Sequence, residues 1–239
     1  MTTQNAPASV YRRDEGLGVW EHRGKVAVAS YGHAPAVRRW DETLESSVGA
    51  YALIAAENVS RVYQHSGQEI LAINDISLDV LPGVFITLVG RSGCGKTTLL
   101  NLLAGLDKPT TGRVRFNGKN LEDFSERDIV EFRRHQIGYV FQSFGLLPLL
   151  TAYENIELPL RISGISPKIR AERSEEMLEM VGLTRRAKHR PYELSGGEQQ
   201  RIAIARAIVM RPSVVLADEP TAELDSENAS AIFDLFKSM

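Results

Sequence analysis

The sequence of 239 residues is poor in cysteine. Cys94 stands alone, so no internal disulfide can form, and a reducing, cytoplasmic setting is the natural reading. Long hydrophobic runs are missing too. Stretches such as LLNLLAGL and VVLA fall well short of the roughly 20 apolar residues that cross a bilayer. The N-terminus, MTTQNAPASVYRRDEGLGVW, has no apolar signal core. The polypeptide is therefore expected to be soluble, with any membrane contact made through a protein supplied by another chain. Neither sign of charge dominates. The 28 Lys and Arg against 30 Asp and Glu leave a net charge of −2, which favours neither nucleic acid nor an anionic lipid surface. Internal repeats and low-complexity tracts are absent. What remains, 43% hydrophobic and 24% charged, is ordinary globular composition, sized for one large domain or a domain with an appendage.

Residues 1–52 read as an N-terminal extension. They hold both tryptophans, Trp20 and Trp40, and paired charges, with no helical period. KVAVASY is one short strand candidate. The segment reads either as a poorly ordered arm or as one that docks on the domain. Regular patterning starts at Leu53. AENVSRVYQ and ILAINDISLDV read as strands; in the second, Ile76, Leu78 and Val80 alternate with Ser77 and Asp79, as in a half-buried antiparallel strand. VFITLV is a continuous β-branched run, expected of a strand buried on both faces. LLNLLAGL reads as a helix, RVRFNG as a strand and turn, and IGYVFQ as a strand. Residues 143–193 turn helical; PKIRAERSEEMLEMVGL carries Ile169, Met177, Met180 and Val181 as an apolar stripe. The strand SVVLADEP and a last helix, SENASAIFDLFKSM, follow. Alternating strands and helices imply an α/β fold with a parallel sheet.

Gly90, Arg91, Ser92, Gly93, Cys94, Gly95, Lys96 and Thr97 fit the phosphate-loop spacing G-x-x-x-x-G-K-[ST], after a strand and before a helix. The glycines let successive N–H groups point inward at a phosphate, and the helix adds the positive end of its dipole. Lys96 would reach the β- and γ-phosphates and the Thr97 hydroxyl would ligate Mg²⁺; Thr98 completes the nucleotide-binding stretch. In VVLADE, Asp218 emerges at the carboxyl end of a buried strand, placed to hold Mg²⁺. Glu219 beside it would polarise the attacking water.

A second turn, LSGGEQQR, has the form of another anion site. Ser195 and Glu198 make a capping box for the helix EQQRIAIARAIV. A capping box does not require Gly196 and Gly197, since glycine is costly at helical positions. They make sense where something approaches the backbone closely. The chain's own nucleotide is already held by Lys96 and its loop, so this turn is expected to receive the phosphate held by another copy.

GRSGCGKTT, LSGGEQQR and VVLADEPTAELDS, in that order, closely resemble the ABC-type ATPases, the nucleotide-binding subunits of ABC transporters. The resemblance spans residues 53–239 and implies the ABC ATPase fold: a phosphate-loop core, an antiparallel β subdomain and a helical subdomain at about 143–193. It implies ATP and Mg²⁺ as ligands, a head-to-tail dimer with ATP between the phosphate loop of one copy and the Ser195–Gly197 turn of the other, and membrane permease subunits as partners at the inner face of the cell membrane. No nucleic-acid partner is expected. By the same resemblance Tyr63 stacks on adenine and Gln142 touches Mg²⁺ and the attacking water. Phe144, Leu146, Leu147 and Leu150 contribute to the groove for the transporter. Leu224 and Asp225 belong to the loop crossing the dimer interface, where Ala222 replaces a usual glycine. FQSFGLLPLLTAYENIELPL looks most like the branch of lipoprotein-releasing, macrolide-exporting and cell-division-associated members.

Two features depart from the family pattern. Cys94 stands where serine is more common; beside Lys96 and a helix N-terminus its thiol is expected to react, so that alkylation blocks ATP binding and ATP protects. The histidine that contacts the γ-phosphate in the family has no counterpart after Glu219, since all five histidines lie upstream. The chain thus reads as C-terminally incomplete and as binding nucleotide better than it hydrolyses it. The rival readings are a soluble ABC-type ATPase of DNA repair or translation, which lacks support because neither a coiled-coil insertion nor a second ATPase half is present, and a regulator that uses ATP only to dimerise.

Overall fold

The computed structural model describes residues 52–221 and the backbone of two N-terminal strands, 18–22 and 25–29. The chain divides into two compact units, Met1–Ser125 and Glu126–Met239.

In the first unit, β1 (Gly18–His22) and β2 (Lys25–Ala29) pair antiparallel, and β2 runs parallel to β5 (Phe85–Val89), with Lys25 opposite Phe85 and Ala29 opposite Val89. The strand expected in KVAVASY is thus present and pairs with the strand that leads into the phosphate loop. An antiparallel sheet has its own order. β3 (Ile54–His65) and β4 (Gln68–Val80) form a long hairpin closed by Ser66 and Gly67, both with positive φ (51° and 79°), the backbone twist that two-residue hairpins favour. The other edge of β3 pairs with β6 (Thr111–Phe116), and Asn117–Gly118 turns the chain into β7 (Lys119–Asn120). On β4 the expected alternation holds: Leu78 is buried, Ile76 and Val80 are half-buried, and Ser77 and Asp79 face out.

The apolar run of β5 departs from expectation. Phe85 and Val89 are exposed and the three residues between them half-buried. Among the described residues this strand sits at the edge of a three-stranded sheet, so the double-sided cover that its composition suits is incomplete. The helix α1 (Lys96–Leu103) follows the phosphate loop and buries Leu99, Leu100, Leu102 and Leu103.

The second unit begins with α2 (Glu126–His135), which has Glu126 and Asp128 in its first turn and Arg133, Arg134 and His135 in its last, complementing the helix dipole. Two parallel strands, β8 (Ile137–Val140) and β9 (Val214–Ala217), lie in register, Ile137 opposite Val214 and Val140 opposite Ala217. Around them pack α3 (Ala152–Ile162), α4 (Pro167–Met180) and α5 (Gly196–Ile208). Their shared core includes Val140, Ile156, Leu160, Leu178, Ile202 and Ile204. Each such side chain contributes roughly 1.5–3 kcal/mol of burial. A Thr151–Glu154 capping box starts α3.

The stripe expected on α4 is only half right. Met177 and Val181 are buried, but Ile169 and Met180 are exposed; Ser174, Met177 and Leu178 form the buried face. The true face follows i, i+3, i+4 from Ser174, whereas Ile169 lies off that stripe. Glu157 on α3 is buried and accepts from Arg161 and from Arg170 on α4, at 2.6 Å for the latter. Burial pushes its carboxyl up, but the hydrogen bonds and charges of the two arginines outweigh that and hold it below the usual carboxylate range. The last expected helix, with Ala222, Leu224 and Asp225, lies outside the described residues.

Candidate nucleotide-binding site

The phosphate loop belongs to the first unit. Gly95 is the N-cap of α1 with φ 95°, and no side chain caps that helix. The turn must be glycine: a Cβ at Gly95 would lie 2.5 Å from the carbonyl oxygen of Ala72, on top of a backbone conformation that L-residues avoid. At Gly93, also left-handed, a Cβ would meet nothing within 4 Å, so the space beside the loop is open to a ligand. The Lys96 Nζ donates to the carbonyls of Gly90 (3.0 Å) and Arg91 (3.2 Å), and the Cys94 N–H turns back to the Arg91 carbonyl at 3.2 Å. The ammonium is therefore stationed over its own loop. Thr97, one residue on, is exposed; Cys94 is half-buried. This arrangement of turned backbone, open space and a cation suits a nucleotide phosphate.

Tyr63 is held in place from two directions. The Arg61 guanidinium lies 4.5 Å from its ring centroid, and the Tyr63 hydroxyl donates to Asp107 Oδ2 at 2.7 Å. Asp107 also takes Arg61, whose Nε donates to Oδ2 at 2.9 Å and whose Nη2 lies 2.8 Å from Oδ1. One face of the ring is thus occupied by a cation.

The carboxylates and the glutamine belong to the second unit, and the register of its two strands explains their meeting. Val140 and Ala217 are the last paired residues; two positions beyond each come Gln142 and Glu219. Gln142 Nε2 donates to Glu219 Oε2 at 3.2 Å. Glu219 is exposed and adopts φ 45°, a strained conformation for a residue with a Cβ. Asp218 beside it is buried, 6% exposed, with its N–H donated to the Val140 carbonyl at 3.0 Å. Its charge is felt nearby: the Tyr139 hydroxyl is pushed up to about 12 by burial and then by Asp218. Within the second unit, a buried carboxylate and a carboxamide are hard oxygen donors of the kind Mg²⁺ takes together with phosphate oxygens and water. No group of three or more His, Cys, Asp or Glu among the described residues could hold a metal by itself.

The serine–glycine turn carries the expected capping box. Glu198 N–H donates to Ser195 Oγ at 3.3 Å, and Ser195 N–H donates to Glu198 Oε2 at 2.8 Å. Glu198 Oε1 accepts from Arg186 Nε at 3.1 Å. Hydrogen bonding from the Ser195 backbone, then the Arg186 charge, outweighs burial and holds the Glu198 carboxyl below the usual range. Ser195 is exposed, Gly196 half-buried and Gly197 buried, so backbone is presented mainly at the first two.

Sequence reasoning passed over three residues here. Asn155 is fully buried; its Oδ1 accepts from the Leu147 N–H at 2.8 Å and its Nδ2 donates to the carbonyls of Leu147, Leu150 and Thr151. Leu149 is 81% exposed, against 44% for Leu147, while Phe144, Leu146 and Leu150 are half-buried. Arg206 sits inside the apolar run of α5, and an arginine among IAIARAIV was the one visible signal.

Comparison with known proteins agrees with this geometry. A family profile described as ABC transporter matches residues 73–222. The ABC transporter ATP-binding protein YtrE of Bacillus subtilis is 47% identical over 171 residues, covering 72% of this chain and 74% of that protein. The ABC transporter ATP-binding protein MJ1508 of Methanocaldococcus jannaschii is 43% identical over 187 residues, covering 78% of this chain and 84% of that one. The solved dimer of the ATP-binding cassette MJ0796, in a post-hydrolysis state bound to ADP and Pi, superposes with a TM-score of 0.72 at 42% identity, over 77% of this chain and 82% of that one. With such identity over most of its length, the chain belongs to the ABC transporter family as an ATP-binding ATPase subunit, and its sheets and helices follow the ABC ATPase fold.

Proposed function

We propose that two copies of this chain close head to tail around ATP and so drive a membrane permease, in an exporter of the lipoprotein, peptide or drug type. The Ser195–Gly197 turn carries this reading. Its helix N-terminus is built to receive an anion, yet its own Glu198 already takes the Ser195 N–H. Such a turn holds a phosphate poorly alone and suits one presented by a nucleotide bound elsewhere. The MJ0796 cassette, crystallised as a dimer, supports the same assembly.

Within each site, Lys96 leaves its loop carbonyls to neutralise the β- and γ-phosphates, and Tyr63 stacks on the base. Thr97 in the first unit, and Asp218 and Gln142 in the second, are the residues that would ligate Mg²⁺, which would draw charge from the phosphate oxygens. Glu219 orients the attacking water, and its contact with Gln142 couples that water to the metal side. Catalysis here is positioning plus charge stabilisation. Leu147 and Leu149 are exposed and offer an apolar contact of the kind a permease at the cytoplasmic face of the cell membrane would take. No helix among the described residues is long and apolar enough to cross a membrane. The export branch rests on resemblance in two stretches, FQSFGLLPLLTAYENIELPL and LAGLDKPTTGRVRFNGK.

Glu219→Gln tests the reading by light scattering and by turnover. In saturating Mg-ATP the variant is expected to run as a dimer, and its ATPase rate to fall on the order of 100-fold or more. A strictly monomeric variant overturns the closure; an undiminished rate overturns the role of Glu219.

A further inference from the structure

Arginine is an expensive residue at position 206. Its neighbours Ile202, Ala203, Ile204 and Ala205 are fully buried, and burial pulls its own pKa down. Among the described residues its hydrogen-bond partners are carbonyls, not carboxylates. Its Nη1 donates to the Gly145 carbonyl at 2.6 Å and its Nη2 to the Phe144 carbonyl at 2.9 Å. Those two carbonyls converge because Phe144 and Gly145 are both left-handed, with φ of 58° and 59°. For phenylalanine that conformation is strained. A Cβ at Gly145 would press Phe141 Cδ2 at 3.3 Å and meet Arg206 Nη2 at 3.5 Å. The forked guanidinium and the strained turn therefore fit each other, and Gln142 lies two residues upstream.

We propose that Arg206 is a positioning residue that clamps the Gln142 loop to α5, so that the serine–glycine turn at one end of that helix and the glutamine at the other move as one body. The proposal rests on the functional reading above, in which Gln142 serves the nucleotide. Arg206 follows Ser195 by eleven positions, about 16 Å along a helix that buries Ile202, Ala203, Ile204 and Ala205. Asn155 pins the far end of the same loop, from Leu147 to Thr151. Between clamp and pin the loop has no regular structure of its own, and it is tied to α5 by the carbonyls of Phe144 and Gly145 and by Leu146, which packs on the core that includes Ile202 and Ile204. Contact at Ser195 would thereby be transmitted to the Gln142–Glu219 pair through a half-buried, charge-assisted fork.

The test uses the full chain with Arg206→Met, which keeps the stem and loses the fork, and Arg206→Lys, which keeps the charge with one donating head. Arg206→Met is expected to lower kcat at least about tenfold, with KM for ATP changed less than about twofold, and to raise the Mg²⁺ concentration for half-maximal rate. Arg206→Lys should fall between. Combined with Gln142→Ala, Arg206→Met should cost nothing further, because both act at one point. Multiplying losses in the double variant, or kcat and KM worsening together, overturn the proposal. If Arg206→Met does not fold, Arg206→Lys carries the same cycle. A chain without any ATP turnover refutes the functional reading instead. The clamp is then judged by hydrogen exchange: faster exchange at residues 142–146 with unchanged protection at 202–205 supports it, and unchanged exchange at 142–146 sinks it.

Discussion

Two helices of this molecule start at a glycine-bearing turn, and they start differently. Helix α1 has Gly95 as N-cap, no side-chain cap and no acidic residue in its first turn. Helix α5 has Ser195 as N-cap, a complete capping box and Glu198 in its first turn. The first end has no side-chain cap, so its dipole is not met by a carboxylate of its own, and it puts a lysine beside the turn. The second satisfies itself and places a carboxylate next to the position where a phosphate would come. A bare helix end can act as a binding site alone; a capped one with its own charge needs a ligand already oriented by something else. The pair teaches that glycine content does not measure anion affinity. What matters is which donors the chain leaves unspent.

The largest effect expected from breaking this contrast is at Gly95. Gly95→Ala puts a Cβ 2.5 Å from the Ala72 carbonyl oxygen and forces alanine into φ 95°. ATP affinity, followed with a fluorescent analogue, should drop on the order of 100-fold or more, and the melting temperature should fall. Alkylation of Cys94 comes next. Modified protein should lose ATP binding, and ATP present during the reaction should slow the modification, read by mass spectrometry. A fully modified sample that binds ATP normally would remove that cysteine from the site. Ser195→Ala is the mildest. It removes one cap, about 1 kcal/mol, and leaves the affinity of the single chain for ATP within about twofold. The capping carboxylate gives this contrast a pH signature. Its folded pKa is depressed, so its contribution is present above the unfolded carboxylate pKa of about 4.3 and fades as pH falls through the folded value. The stability gap between Glu198→Gln and the unsubstituted chain, measured by denaturant titration, should close below that range.

Much of the site could be read in advance because its motifs are local. The spacing from Gly90 to Thr97 and the Ser195–Glu198 box each depend on a few consecutive residues, and the structure forms both turns where they were expected. What escaped was anything set by pairing of distant segments. Gln142 meets Glu219 because β8 and β9 run parallel in one particular register, which no local pattern encodes. The fork of Arg206 depends on the sign of φ at Phe144, and phenylalanine gives no hint of that. The stripe on α4 failed for a simpler reason: Ile169 and Met180 are apolar, but the helix turns them away from its partners. The exposure of β5 was missed because hydrophobicity reports what a strand tolerates, while its actual neighbour, β2, comes from a segment with no helical or strand periodicity around it.

That neighbour has a practical corollary. Anyone trimming this polypeptide to the stretch that resembles its relatives, from residue 53 onward, would strip β5 of five consecutive backbone partners while leaving Phe85 and Val89 on show. A bare, apolar strand edge is an invitation to stick to another copy. The scissors would also fall on the scaffold that feeds Gly90, so a tidier gene could yield a stickier and less competent product.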